Sequence, residues 1–544
     1  MGVPGFFSYL NRNRELKRSI LTQNQKYDVD ILYFDFNSVI HNSAGKVRKN
    51  SNLESLGTAE IENLIVQEVI RTSEEIIGYV NPRVEIFIAI DGACPMGKIF
   101  QQRERRLKTS LDSEFMKRLK SKHGIAEDVK WQTSKISPGT QFMYKLEQRL
   151  RKHFGRATKR RGKVVVSGSD MSGEGEHKIK ELIIRSNKKQ LKHCIYGLDA
   201  DLLFLSTILE NSGFDVKLIR ETLEIGDREL NEKEKFTWVD IGILKKEIDI
   251  KLGSKNTLDF IYLCFLLGND FVSSVPTMSI YKNGIPLLIQ EYKRNKRGKD
   301  EALVKWDPYR INYSFLLRIL EGISRNENAF LRSQYIEYQN RVLPMRMRSM
   351  SEFEKEAYIY ENLIGHKDDL QMKGLDLESD KGRYYERYFP QGVQREAVCL
   401  EYLRSLNWCF SYYMSHNLSW EYSYSYHKGP FVSDICDFLR TSLSNLNFEY
   451  EFGRPMYPIE QLLIIIPSSD KNIVPRSFRH LMEKYSKVPG NVKVDKNYIS
   501  KRYKMVFFLP SVDIVGLRRD VKEIYSRMEK KNKYTDYLFH SGYG

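Results

Sequence analysis

Carboxylate side chains recur where short apolar segments of this chain end. Asp35 closes the segment ILYFDF, Asp91 closes VEIFIAID, and Asp199 and Asp201 close HCIYGLDAD. The carboxyl ends of strands in an open parallel sheet face a ligand crevice, so we expect these acids to meet there. A single strand-end aspartate is more often a helix cap or a turn residue, and the site is therefore inferred from the combined pattern.

Three further acids occur in segments of a different character. Glu174 and Glu176 lie in SGEGEHK at a predicted helix start, where the flanking Gly173 and Gly175 allow a close backbone approach. Asp270 follows the apolar helix LDFIYLCFLLG. We expect all three to join the strand-end acids in one cluster.

Seven acids in one cluster require cations. Two unit charges 4 Å apart repel by about 4 kcal/mol at an effective dielectric constant near 20. Ligand sets made only of oxygen atoms select hard ions, which predicts Mg²⁺, with Mn²⁺ as a substitute. Two such ions about 3.5–4 Å apart activate a water molecule and stabilise the leaving oxygen in phosphodiester hydrolysis.

A cationic helix face is predicted directly after Asp91, in GACPMGKIFQQRERRLK. Lys98, Gln102, Arg105 and Arg106 recur at spacings of about one helical turn, so most of them share one face. Beside a metal cluster such a face binds a phosphate, by bidentate bonds from Arg and by the point charge of Lys. Without the adjacent aspartate, a solvated basic helix face would be the better interpretation.

The elements that position these residues alternate along the first 280 residues. Uniformly apolar segments predict buried strands at 31–36, 84–91, 163–169, 193–199 and 215–220. Helical patterns at 61–80 and 138–154 indicate βαβ crossovers. We therefore predict an α/β fold with a mostly parallel central sheet flanked by helices.

The pattern changes beyond about Lys293. Helical stretches continue, a charged segment with some helix follows, and an aromatic-rich α+β region with a predicted strand at 503–510 comes last. The three predicted parts are residues 1–335, 336–380 and 381–544.

Composition points to a globular protein with a polyanionic partner. A chain of 544 residues is too long to form a single ordinary hydrophobic core, and its 33 Tyr and 28 Phe argue against general disorder. The net charge is +17, and the excess of Lys and Arg is clustered, which favours nucleic acid. The basic clusters lie at 103–108, 117–122, 152–163 and 293–299.

Other classes of protein are disfavoured. No apolar run reaches the roughly 20 residues of a membrane span, and the N-terminus lacks the apolar stretch of a secretory signal. Six scattered cysteines without a C-x-x-C pair oppose a zinc ribbon and a disulfide framework. We expect an intracellular protein, cytoplasmic or nuclear, without a membrane partner.

Ordered motifs carry a resemblance to a known family. They include MGVPGFFSYL, YFDFNSVIHN, AIDGACPMGKIFQQRERR, GEGEHKI, YGLDADLLFLS, LLGNDFVSSVP, RYYERYF and FGRPMYPIEQLLIIIPSS. With them the chain resembles the Xrn-type 5′→3′ exoribonucleases over essentially its whole length. The resemblance implies a nuclease core related to flap endonucleases and a second region, from about residue 380, that packs around the active site. It also implies a compact member without the extra C-terminal domains of the large cytoplasmic forms, nearer the nuclear members or a minimal viral form.

The resemblance assigns the seven acids to metal binding and catalysis, and the four residues of the cationic helix to the 5′-phosphate of the substrate. It also places His41 against the terminal bases, where stacking tolerates any sequence. The family reads SWSWYYPYHYAP where this chain has SWEYSYSYHKGP, so either Trp420 or Tyr422 is expected opposite His41.

The implied activity is processive hydrolysis of single-stranded, 5′-monophosphorylated RNA to nucleoside monophosphates in RNA decay. A monomer that works with the decapping machinery is expected. Two alternatives stay open: a structure-specific DNA flap endonuclease, which shares the acid chemistry, and a non-catalytic RNA-binding scaffold that retains the fold.

Overall fold

A computed structural model describes residues 3–542 of the chain apart from several short segments. The segments outside the description are residues 4, 22–26, 50–52, 54–55, 127–130, 158–161, 223–234, 283, 307–308, 341–343, 367–369, 415–418, 444–445, 491, 500 and 529–530. Within the described residues, no helix is both long and apolar enough to cross a membrane.

A seven-stranded mixed sheet organises the first half of the chain. Its strands are β1 (Ile20–Leu21), β2 (Ile31–Asp35), β3 (Glu85–Ala89), β4 (Lys163–Ser167), β5 (Lys192–Tyr196), β6 (Asp215–Glu221) and β7 (Phe236–Asp240). They lie in the order β1-β7-β6-β5-β2-β3-β4. Strands β2 to β6 pair in parallel, whereas β7 pairs antiparallel with both β6 and β1. Phe34 of β2 is opposite Ile88 of β3 and Tyr196 of β5, so these three strands end at one edge.

Helices cover the sheet and form most of the remaining chain. They are α1 (Phe6–Arg12), α2 (Phe36–Arg48), α3 (Thr58–Val80), α4 (Met96–Lys122), α5 (Gln141–Ala157), α6 (Gly175–Ser186), α7 (Asp201–Asn211), α8 (Ile241–Leu252), α9 (Thr257–Phe265), α10 (Gly284–Asn295), α11 (Tyr313–Ser324), α12 (Glu327–Gln339), α13 (Glu352–Asn362), α14 (Leu377–Tyr388), α15 (Arg395–Met414), α16 (Val432–Ser442), α17 (Pro458–Ile465), α18 (Met482–Tyr485), α19 (Ile514–Ser526) and α20 (Lys533–Leu538). Two small antiparallel pairs join β8 (Val304–Trp306) to β9 (Tyr309–Ile311) and β10 (Val494–Asp495) to β11 (Val506–Phe507).

Both faces of β2 are buried, because successive side chains alternate between two cores. Leu32 and Phe34 belong to the core shared with α2, α3 and α5, whereas Ile31 and Tyr33 belong to the core shared with α6 to α9. A strand with no solvent-exposed face has a continuous run of apolar residues, which is the pattern seen in the sequence. The predicted α/β fold with a mostly parallel sheet is confirmed.

Parts of the second half of the chain pack against α4. Met96 and Ile99 in the first turn of α4 share a core with Ile459 and Leu463 of α17. Further along α4, Phe115 stacks on Tyr360 of α13 with ring centroids 3.5 Å apart. The charged segment predicted as a connector therefore contributes a helix that packs on α4, and the predicted boundaries at 335 and 380 stay predictions.

Candidate metal centre and phosphate site

The carboxyl edge of the central strands carries three of the predicted acids. Asp35 is the last residue of β2, and α2 begins at the next residue. Asp91 lies two residues beyond the end of β3, and Asp199 lies between β5 and α7. Because β2 is the parallel neighbour of both β3 and β5, the three acids reach the same edge of the sheet.

Two helix N-termini bring three more acids to this edge. Glu174 directly precedes α6, Glu176 lies in its first turn, and Asp201 is the first residue of α7. The unpaired amides at a helix N-terminus favour negative charge at these positions. Gly173 permits the turn into α6, because its φ of 102° is strained for any residue with a side chain.

Two groups of possible metal ligands lie here, Asp35 with Asp91 and Glu176, and Glu174 with Glu176 and His177; in each group one ligand atom per residue lies within 4.8 Å of the others. Gly175 lies against the first group. A Cβ atom there would stand 2.8 Å from Oδ1 of Asp35 and 3.0 Å from the carbonyl oxygen of Ala89. The amide of Gly175 donates to Oδ1 of Asp91 at 2.7 Å. The backbone of α6 thus approaches the acids as only glycine allows.

Lys98 lies inside the acid cluster. Its ammonium Nζ is 2.6 Å from Oε2 of Glu174 and 2.5 Å from Oδ2 of Asp270, and the side chain is 5% exposed. Gln101 also donates to Asp270, at 3.2 Å. The start of α4 therefore joins Asp270, which follows α9, to Glu174, which directly precedes α6.

Burial and mutual repulsion dominate the electrostatics of the site. Burial, and then the neighbouring acids, raise the pKa of Asp35 and of Glu176 well above ordinary values. Burial alone would lower the pKa of Lys98, but its carboxylate partners raise it well above normal. Burial has the largest single effect on the pKa of Asp270 and raises it, but opposing interactions, of which the charge of Lys98 is the largest, together lower the pKa. An all-carboxylate set that is costly to ionise fits a hard divalent cation.

The other predicted phosphate residues differ in their surroundings. Arg106 is buried, and its guanidinium donates to the carbonyl oxygen of Ile136 at 2.8 Å and to the hydroxyl of Ser137 at 3.0 Å. Burial, and then Arg105, lower the pKa of Arg106 to about 9. Arg105 is half-buried. Arg106 therefore anchors α4 through backbone contacts, and Arg105 is the more accessible cation.

Gln102 faces the second half of the chain. Its amide nitrogen lies 3.6 Å from Sγ of Cys94, and its oxygen accepts from Gln461 at 3.3 Å. Gln461 in turn accepts from the amide of Cys94 at 3.0 Å. A side chain from α17 thus orients one of the predicted phosphate ligands.

The predicted stacking residues lie in three different settings. His41 is solvent-exposed on α2, yet the surrounding protein excludes enough water to lower its pKa to about 4, and Arg106 and Arg105 add to the shift. Trp420 is 3% exposed, and its carbonyl oxygen accepts from the amide of Met96. The hydroxyl of Tyr422 donates to Glu401 at 2.8 Å. The place of His41 beside both arginines suits its predicted role, and the stacking roles stay predictions.

Sequence reasoning missed residues that hold the acids in place. Asn37 donates to Oδ2 of Asp91 at 2.7 Å and accepts from its backbone amide. Tyr412 of α15 donates to Glu174 at 2.9 Å. The position of Asn37, two residues after Asp35, was a usable signal, because strand ends at this edge are adjacent. Nothing in the local sequence indicated Tyr412.

Comparisons with known proteins identify the family of this chain. Residues 1–222 match the family described as the XRN 5′-3′ exonuclease N-terminus, and residues 255–374 and 371–539 match the Xrn1 helical domain. A solved structure of the catalytic core of Rad2 in complex with DNA substrate is 13% identical to this chain. The match covers 81% of this chain and 95% of the Rad2 chain, and its TM-score of 0.31 supports no conclusion about this chain.

Three curated relatives illustrate the likeness. The 5′-3′ exoribonuclease 1 of Homo sapiens is 26% identical over 98% of this chain, and that of Saccharomyces cerevisiae is 24% identical over 99%. The 5′-3′ exoribonuclease 2 of Arabidopsis thaliana is 26% identical over 92%. The chain spans 35%, 44% and 65% of the lengths of these relatives, respectively. Because the family matches together extend over most of the sequence, the chain belongs to the Xrn-type 5′-3′ exoribonuclease family.

Proposed function

We propose that this chain is a 5′→3′ exoribonuclease that hydrolyses single-stranded RNA with a 5′-monophosphate and releases nucleoside monophosphates. The observation that carries the proposal is the contact between the two predicted sites. Lys98 of the cationic helix bridges two of the acids, so a phosphate on α4 lies beside the carboxylate cluster. The names of the curated relatives support the reaction class.

The proposed cofactor is Mg²⁺, for which Mn²⁺ can substitute. The residues that would hold it are Asp35, Asp91, Glu174, Glu176, Asp199, Asp201 and Asp270. When bound, divalent ions of this kind generate a nucleophile at neutral pH and stabilise the leaving oxygen of a phosphodiester. The three carboxylate oxygens within 4.8 Å of one another, with no sulfur ligand among them, support this choice of ion.

The residues of the chain account for direction and for the exonucleolytic mode. Arg105 and Gln102 bind the terminal phosphate, and the exposed ring of His41 stacks on a base near the 5′ end. Lys98 neutralises Glu174 and Asp270, which keeps these acids charged inside a buried cluster. Because the phosphate ligands favour a free monophosphate end, internal sites and capped ends gain less binding energy.

The test compares 3′-labelled RNAs that carry a 5′-monophosphate, hydroxyl, triphosphate or cap. We expect wild-type protein to prefer the monophosphate at least tenfold and Arg105→Ala to lose this preference. Arg118→Ala on the same helix is the matched control, since that side chain is 72% exposed and lies 3.8 Å from the exposed carboxylate of Glu114, one turn earlier. Arg106 is left in place because its backbone contacts support the fold.

Three results would overturn the proposal. If Arg105→Ala kept the full preference for a monophosphate, the terminal phosphate would bind elsewhere. If flapped DNA were cut and RNA were not, the flap-endonuclease alternative would replace the exoribonuclease. Binding of RNA without release of mononucleotides would favour the scaffold alternative.

A further inference from the structure

A cavity of about 370 Å³, partly open to solvent, lies on a second face of α4. Gly97, Gln101 and Glu104 line it at helical spacing. The predicted phosphate residues Lys98, Gln102 and Arg105 are each one position further along, which places them about 100° round the helix. The cavity is therefore a space distinct from the 5′-phosphate site, although Asp270 borders both.

Aromatic side chains form much of the cavity wall. They are Phe100, Phe271, Tyr424, Tyr426, His427 and Phe507. Aromatic faces bind nucleobases by stacking with little regard to base identity. Cavities of about 300–1,000 Å³ are the size that takes small molecules. The dimensions and walls suit one nucleotide.

A buried cation lines the same cavity. Arg103 is 6% exposed, and its NH1 group donates to the carbonyl oxygen of Pro510 at 2.6 Å. Its buried Nε has no hydrogen-bond partner among the described residues. Burial lowers the pKa of Arg103, as expected for a charge removed from water without compensation. An anion in the cavity would be bound by the guanidinium of Arg103, which lies in the lining.

The other charges around the cavity are already matched. Glu104 pairs with Lys108 at 3.0 Å and accepts from the amide of Phe507 at 2.9 Å. Asp270 pairs with Lys98. Among the described residues that line the cavity, Arg103 is the cationic side chain, and Glu104 and Asp270 each have a lysine beside them, so an anion would bind at Arg103.

Gln101 connects the cavity to the acid cluster. Its Nε2 donates to Asp270, while its buried Oε1 has no hydrogen-bond partner within the described part of the chain. An unmatched amide oxygen accepts from an N–H or hydroxyl group of a ligand. A nucleotide offers such donors on its base or its ribose.

We propose that this cavity is a second nucleotide site, which takes a free nucleoside 5′-monophosphate with its base among the aromatic side chains and its phosphate at Arg103. The choice of ligand rests on the proposed function, because that nucleotide is the product of the proposed reaction. A bound nucleotide contacts Gln101, which holds Asp270. Occupancy should therefore lower turnover without weakening the binding of RNA.

The test is photolabelling with 8-azidoadenosine 5′-monophosphate in EDTA, followed by peptide mass spectrometry. We expect adducts within 423–427 or 506–511 that excess AMP suppresses. Arg103→Gln should reduce labelling at least tenfold. Ser425→Trp keeps the cation but fills the space from an exposed position that lines the cavity, and should have the same effect. Arg118→Gln should label like wild type, and thermal unfolding verifies that each variant folds.

Adducts confined to other segments would overturn the inference, as would labelling that both Arg103→Gln and Ser425→Trp leave unchanged. Equal labelling by 8-azidoadenosine without a phosphate would remove the role of Arg103. Labelling without RNA hydrolysis would refute the proposed function and leave the nucleotide site standing. RNA hydrolysis without labelling would refute the nucleotide site and leave the proposed function standing.

Steady-state kinetics gives a second readout. AMP should lower kcat at constant KM for RNA in wild-type protein, and Arg103→Gln should lose this effect. Purely competitive inhibition by AMP would contradict the coupling through Gln101.

Discussion

Replacing Gly175 with alanine tests whether the close approach of α6 shapes the metal centre. The added Cβ would stand 2.8 Å from Oδ1 of Asp35, 3.0 Å from the carbonyl oxygen of Ala89 and 3.3 Å from Oδ1 of Asp91. The two carboxylates can rotate away, but the Ala89 carbonyl belongs to a central strand and cannot. The methyl group therefore pushes α6 outward or displaces two acids.

The expected size of the effect follows from these contacts. Overpacking of this kind lowers the free energy of unfolding by about 1–3 kcal/mol. A displacement on the order of 1 Å in a catalytic site reduces the rate by about 10²-fold. We therefore expect Gly175→Ala to lose about two orders of magnitude in single-turnover RNA hydrolysis, with weaker binding of Mn²⁺ in a calorimetric titration.

Gly78→Ala is the matched control. Gly78 lies within α3, where an added Cβ meets no atom within 4 Å. Alanine there should raise the free energy of unfolding by about 0.5–1 kcal/mol and leave hydrolysis unchanged. If Gly175→Ala bound Mn²⁺ and cut RNA like wild type, the acids would not depend on the backbone of α6, and the reasoning would be refuted.

Three more perturbations probe the cluster. Lys98→Met leaves the buried carboxylates of Glu174 and Asp270 without their cation, and should lower the free energy of unfolding by about 3–5 kcal/mol in EDTA. Denaturant titrations should show that Mg²⁺ restores more stability to this variant than to wild type. An equal gain in both proteins would contradict the role of Lys98. In metal-free protein, the raised pKa values of Asp35 and Glu176 mean that the folded state binds more protons than the unfolded state. The free energy of unfolding measured in EDTA should therefore fall as the pH rises above the ordinary carboxyl pKa values of 3.8 and 4.5. An increase in the free energy of unfolding over this range would contradict the expectation. Asn37→Ala removes both contacts to Asp91, and Mn²⁺ affinity should fall about 10–100-fold by calorimetry, whereas unchanged affinity would mean that other groups position Asp91.

The central strands and their acids were predictable because one physical rule governs them. Buried parallel strands are uniformly apolar, and their carboxyl ends meet at one edge, so the position of Asp35 in the chain indicates its place in the fold. Strand β7 was missed; it has the same length as the predicted central strands β2 to β5 but pairs antiparallel with β6 and β1 near the edge of the sheet. The strand predicted at 503–510 is shorter than expected. It comprises Val506–Phe507, which pair with the two residues of β10.

Local spacing does not reveal which partner a side chain meets. It grouped Lys98 with Arg106 as phosphate ligands, but Lys98 bridges Glu174 and Asp270, and Arg106 is bound to backbone carbonyl groups. These partners depend on how α4 is packed by α17, far away in the sequence. Contacts of this kind follow from tertiary structure, and no helical periodicity encodes them.

The most direct measurement follows the first product released from 5′-labelled, monophosphorylated RNA as Mg²⁺ is titrated from zero. The account predicts a labelled mononucleotide at the earliest time points, only when divalent ions are present, and no product from a folded Glu176→Gln variant at any concentration. Labelled fragments longer than one nucleotide, cleavage in EDTA, or normal turnover by Glu176→Gln would contradict it.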